Sequence, residues 1–108
     1  LEHLFFQKLK ATIDRGEIKD LIDIGAALKS REPVLDYKKL ETYKNAMPLI
    51  DGVISIIEKL EKNPKEWKEE LATTELKFDI NEKNFPQFIN KTKTELYKLK
   101  NYFKKKSS

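Results

Sequence analysis

Cysteine is absent from the 108 residues, which removes disulfides, a thiolate nucleophile and every cysteine-ligated zinc or iron–sulfur centre. Histidine occurs once, as His3, so a Ser-His-Asp arrangement or a histidine-bearing metal site would rest on a residue beside the chain start. Arginine occurs only as Arg15 and Arg31, against twenty lysines. The forked contacts with phosphate and guanine edges that favour arginine therefore have little to draw on, although lysine still supplies non-specific phosphate attraction. No apolar run approaches the roughly 18–20 residues of a membrane span. The N-terminus has no basic region followed by an apolar stretch and a cleavage site. Phosphate-binding glycine spacings, a Walker lysine and a calcium loop are likewise missing from the sequence.

What is present is enough apolar sequence for one modest core, at a length that suits a single domain. The absence of cysteine fits a cytoplasmic or other reducing compartment. An opening Leu1 in place of Met fits a domain belonging to a longer protein. Net charge is +4, unevenly placed: residues 91–108 hold seven lysines against Glu95, while the other ninety residues hold fifteen basic and seventeen acidic side chains. The basicity belongs to the end of the chain.

The most apolar stretch runs from Pro48 to Leu60. Positions 49, 50, 53, 54, 56, 57 and 60 wrap over half of a helical wheel, and Asp51, Ser55 and Glu58 form one narrow polar stripe. Such a helix belongs at the centre of a bundle. Leu40, Tyr43, Met47, Ile50, Ile54 and Ile57 keep one phase across Pro48, which allows either one kinked helix of roughly 25 residues or a fresh helix with Pro48 in its first turn.

Around this axis the spacing predicts further helices. Glu2 to Asp14 carries Leu4 or Phe5, Leu9 and Ile13 inward with Phe6 beside them, and Lys8, Lys10, Thr12 and Asp14 outward. Gly16 suits the left-handed position that ends such a helix. Glu17 to Lys29 repeats the pattern through Ile18, Leu21, Ile22, Gly25, Ala26 and Leu28, and the small residues at 25–27 predict close approach of another helix. Glu17, Asp20 and Asp23, near that helix's start, are expected to favour the dipole and face water rather than bind metal. Pro33 stops the helix and Asp36 is a candidate cap for the next.

Asn63-Pro64-Lys65-Glu66 is a helix start with the spacing of a capping box, and it sets Trp67 and Leu71 on a buried face. Residues 73–80 alternate in the manner of a strand and are expected to form an extended connector, with Phe78 and Ile80 plugging the core, or an edge that a partner could pair with; Trp67, Leu71 and Phe78 also keep a loose helical phase that allows the preceding helix to continue. Asn81 to Asn84 turns the chain. From Asn84 or Phe85, the stripe Phe85, Ile89, Thr92, Leu96, Leu99 and Phe103 steps by four, three, four, three and four. This predicts a long final helix.

The expected fold is therefore all-α: a bundle of about five helices around a central hydrophobic helix, one domain over residues 1–103, with 104–108 as a frayed basic tail. No catalytic, cofactor-binding or metal-ligating set emerges; Asp51 is the one acid with an apolar surround, and its stripe is expected to face solvent. The composition points to a non-enzymatic protein-interaction or assembly domain, binding a protein partner or a second copy of itself, with Phe88, Tyr97 and Tyr102 as a candidate partner surface. The alternative is a nucleic-acid-binding accessory domain whose last helix offers Lys91, Lys98, Lys100, Lys104, Lys105 and Lys106 to phosphates. The same basic amphipathic helix would also suit an anionic membrane surface. Nothing indicates a small-molecule substrate.

Overall fold

Gly16 adopts φ +66°, and its N–H donates to the Thr12 carbonyl at 2.8 Å, closing the first helix as the sequence predicts. A computed structural model describes residues 2–29, 46–74 and 80–107. These hold α1 (Glu2–Arg15), α2 (Ile18–Lys29), α3 (Ala46–Lys62), α4 (Pro64–Thr73) and α5 (Phe85–Ser107), with no strand among the described residues. The all-α bundle is as expected. Among the described residues, no helix is long and apolar enough to cross a membrane.

With only Gly16 and Glu17 between them, α1 and α2 fold back on each other. Arg15 reaches Asp20 at 3.0 Å and Lys8 reaches Asp23 at 2.9 Å, an order that makes the pair antiparallel. α3 and α5 are antiparallel for the same reason, since Glu61 meets Lys93 and Asp51 meets Lys100. α1 packs on both α2 and α3, and α5 packs on the same two helices, while α4 crosses to touch α2 and α3. α3 thus lies between neighbours, as its broad apolar face requires, with Asp51, Ser55 and Glu58 all exposed. α2 shares the central role: Ile18, Leu21, Ile22 and Ile24 are fully buried in the same core.

Glycine sets both of the close helix crossings. A Cβ at Gly25 would lie 2.5 Å from the Phe88 ring of α5, and one at Gly52 would lie 2.8 Å from Ile13 Cδ1 of α1. The close approach read from residues 25–27 is therefore real, and it is made to α5.

Two assignments of inward and outward faces need correction. In α1 the buried line is Phe5, Leu9 and Thr12, whereas Leu4 is 58% exposed and Ile13 36% exposed. Thr12 tolerates burial because its hydroxyl donates to the Lys8 carbonyl at 2.8 Å. In α2, Asp20 does not face water; its side chain is fully buried and accepts from Arg15 and, at 3.3 Å, from Lys8. Those two cations, lying over the carboxylate, replace the lost hydration.

The Asn63 start signal holds, but its capping box does not form. Pro64 opens α4, yet no side chain caps it, and Asn63 Nδ2 donates backward to the Lys59 carbonyl at 3.1 Å. Asn63 therefore closes α3 instead. The cap that does form is long-range: the Ile18 N–H, first in α2, donates to the Glu70 carboxylate of α4 at 2.5 Å. Glu70→Ala should cost about 0.5–2 kcal/mol, as loss of an N-terminal cap does, and Glu70→Gln should recover most of it; an unchanged urea midpoint in the alanine variant would show that this bond is not stabilising.

Every residue of the predicted stripe of α5 is buried, from Phe85 through Phe103. The helix runs to Ser107, so residues 104–107, expected as a frayed tail, are helical. α4 ends at Thr73, because Thr74 is extended (φ −101°, ψ 129°), and Ile80 packs against the core. The expectations for Ser30 to Tyr43, including the Asp36 cap and the backward continuation of α3 to Leu40, lie outside the described residues, as does the connector at 75–79 with Phe78.

Candidate functional site

The last helix was the first candidate, and its lysines divide into two groups. Lys93 donates to Glu61 at 2.6 Å, Lys100 to Asp51 at 2.6 Å and Lys98 to Glu95 at 3.2 Å. The hydrogen bond to Glu61 holds the Lys93 ammonium above its ordinary pKa, and the one to Asp51 does the same for Lys100. Lys93 and Lys100 thereby serve the α3–α5 seam, whereas the Lys98 pair lies within α5. Lys91 and Lys104 are exposed on the outer part of the helix, while the side chains of Lys105 and Lys106 lie outside the described set. Lys8 behaves like Lys93: its pKa is raised chiefly by the hydrogen bond to Asp23, against a smaller lowering by burial.

The three aromatics of the candidate partner surface are not exposed together. Phe88 is 8% exposed and sits against Gly25, so it belongs to the core. Tyr102 is half-buried, packed on that core and edge-on to Phe103. Tyr97 alone is clearly exposed, at 41%. What decided this was the missing side chain at Gly25, which leaves room for the Phe88 ring.

A different surface carries an open groove. It lies between the start of α4 and the turn leading into α5 and holds about 740 Å³. Its apolar part is Pro64, Trp67 and Pro86; its polar part is Lys68, Asn81, Glu82 and Lys83. Trp67 is 4% exposed, held by a tilted contact with Phe85 whose ring centroids are 4.7 Å apart. The Lys68 ammonium lies 5.8 Å from the indole centroid and 3.3 Å from Glu82.

The polar wall is built by a reciprocal pair of asparagines. Asn81 Oδ1 accepts from the N–H groups of Lys83 and Asn84 at 2.9 and 3.1 Å, and Asn84 Oδ1 accepts from the Asn81 N–H at 2.7 Å. The Phe85 N–H then donates to the Asn81 carbonyl at 2.9 Å, joining the turn to α5. These bonds fix the shape of the turn.

From the sequence, Pro64 was visible as a helix-start residue and Trp67 as a core anchor, whereas Pro86 drew no reading. Their meeting in one groove depends on the packing of Trp67 against Phe85, which no local pattern encodes. A second cavity, of about 490 Å³, lies where Glu17, Lys19, Glu70, Thr73 and Thr74 meet. Glu70 is already committed there to the Ile18 N–H. No group of three or more metal-ligating side chains occurs among the described residues.

Comparison with protein families, with characterised proteins and with solved structures found no match to this chain.

Proposed function

We propose that this chain is a non-enzymatic helical protein-interaction domain and that its partner-binding surface is the groove between α4 and the start of α5. The observation that carries this reading is the groove itself: an apolar strip of proline and indole beside a wall fixed by three side-chain-to-backbone hydrogen bonds. Ligand pockets for small molecules bury most of their occupant. An open groove suits an extended segment of another chain better.

The nucleic-acid reading of the last helix has fewer cations to work with than the sequence suggested, because Lys93 and Lys100 are tied to α3 at 2.6 Å. Among the described residues, self-association and attachment to a membrane surface have no comparable feature behind them.

Selection of a random-peptide display library on the folded chain tests the proposal. Enriched peptides should bind the natural chain and lose at least about tenfold in affinity, or roughly 1.4 kcal/mol, on Pro64→Gln/Pro86→Gln, which sets polar side chains on the apolar strip without changing its charge. No enrichment, or binding indifferent to that double substitution, would remove the groove as the partner surface.

A further inference from the structure

We infer that the groove takes an acidic peptide segment with an apolar centre, an inference that rests on the interaction reading above. The apolar strip of Pro64, Trp67 and Pro86 gives non-polar side chains a seat, and the charges beside it are asymmetric. Lys83 is exposed and forms no ion pair with any described residue. Lys68 is paired, but its partner Glu82 is itself on the groove, and both side chains are about half exposed or more.

An exposed pair of this kind contributes little to stability and exchanges readily. Glu82 therefore acts as a stand-in: a carboxylate already seated on the ammonium that a partner's carboxylate would take. An incoming acid at Lys68 displaces Glu82, and a second finds Lys83. A basic segment meets two like charges and gains only Glu82. Charge complementarity thus selects an acidic occupant, and the apolar strip requires that it carry more than charge.

Three ten-residue peptides test this, with the fluorescence of Trp67, the sole tryptophan, as reporter. One places two leucines between Asp and Glu residues, the second places them between lysines, and the third keeps the acids but replaces the leucines with Gly and Ser. The first should give a saturable change that weakens as salt rises, since exposed charges are screened. Its affinity should fall by about tenfold or more in Lys68→Glu/Lys83→Glu and rise in Glu82→Gln, which frees Lys68.

Equal or tighter binding of the lysine-flanked peptide would overturn the acidic assignment and leave the interaction reading standing. Equal binding of the peptide without leucines would overturn the role of the apolar strip. A single-stranded oligonucleotide that bound as tightly, and was lost in the same double variant, would reassign the groove to nucleic acid. Silence from all three peptides, with library peptides bound at the groove, overturns the acidic assignment alone; silence from both overturns the interaction reading as well.

Discussion

Phe85→Ala should lower the free energy of unfolding by about 3–5 kcal/mol, the usual cost of truncating a fully buried phenylalanine. The side chain is 0% exposed, and it is the first residue of α5, so the change carries no helix-propensity penalty. What is lost is packing. The Phe85 ring lies against Trp67, with planes inclined by 41°, and this is where the start of α5 bears on α4. Of the total, about 0.5–1.5 kcal/mol belongs to the aromatic pair itself; the remainder is apolar transfer and the cavity left behind.

A domain of this size typically has about 5–15 kcal/mol in hand, so the variant should be folded but much closer to its midpoint at room temperature. Urea denaturation read by far-ultraviolet circular dichroism measures the loss. Trp67 emission should move to longer wavelength as water gains the indole edge. A cost below about 1 kcal/mol would mean that α4 and α5 do not depend on this contact, and the groove between them would lose its support.

How much of this was legible beforehand differs from helix to helix, for reasons that can be given. The stripe of α5 is read without error because one narrow face repeats over five turns and only one phase fits it. The exposed line Asp51, Ser55 and Glu58 in α3 is equally plain, being the only polar gap in a wide apolar surface. In α1 the run Leu4-Phe5-Phe6 offers three adjacent choices, and Thr12 beside Ile13 offers two more. The helix turns Phe5, Leu9 and Thr12 inward because α2 and α3 flank it on those sides, which is tertiary information.

Asp20 was misjudged by the same kind of omission. An acid in a first turn is ordinarily solvated, and its burial becomes tolerable only when Lys8 and Arg15 arrive from α1. The groove was invisible as a site because each of its residues had a sufficient local explanation: a helix start, a core aromatic, a turn. The one sequence clue was the recurrence of asparagine and proline at both helix starts, Asn63-Pro64 and Asn84-Phe85-Pro86.

Alanine at the two helical glycines should have opposite effects, and the difference tests how the bundle is closed. In isolation each substitution gains about 1 kcal/mol of helix propensity. At Gly25 the new methyl would stand 2.5 Å from both Phe88 Cζ and Thr92 Oγ1. Neither can yield easily: Phe88 is buried in the core, and the Thr92 hydroxyl is held by its bond to the Phe88 carbonyl at 2.9 Å. Overpacking of about 1–3 kcal/mol, at the upper end for two fixed neighbours, leaves Gly25→Ala destabilised by about 2 kcal/mol after the propensity gain.

At Gly52 the obstacle is the end of Ile13, 2.8 Å away on a side chain already 36% exposed. Ile13 Cγ1 lies at 3.2 Å as well, so a small outward shift of the whole Ile13 side chain, free on its solvent side, relieves both contacts. Gly52→Ala should therefore be neutral or stabilising by up to about 1 kcal/mol. The cause at Gly25 is checked by a double-mutant cycle: in Gly25→Ala/Phe88→Leu the smaller side chain makes room for the methyl, so the combined loss should fall short of the sum of the single losses by about 1 kcal/mol or more. Strict additivity would place the cost elsewhere than in the α2–α5 crossing. Equal destabilisation at both glycines would mean that α1 is held against α3 as rigidly as α2 is against α5.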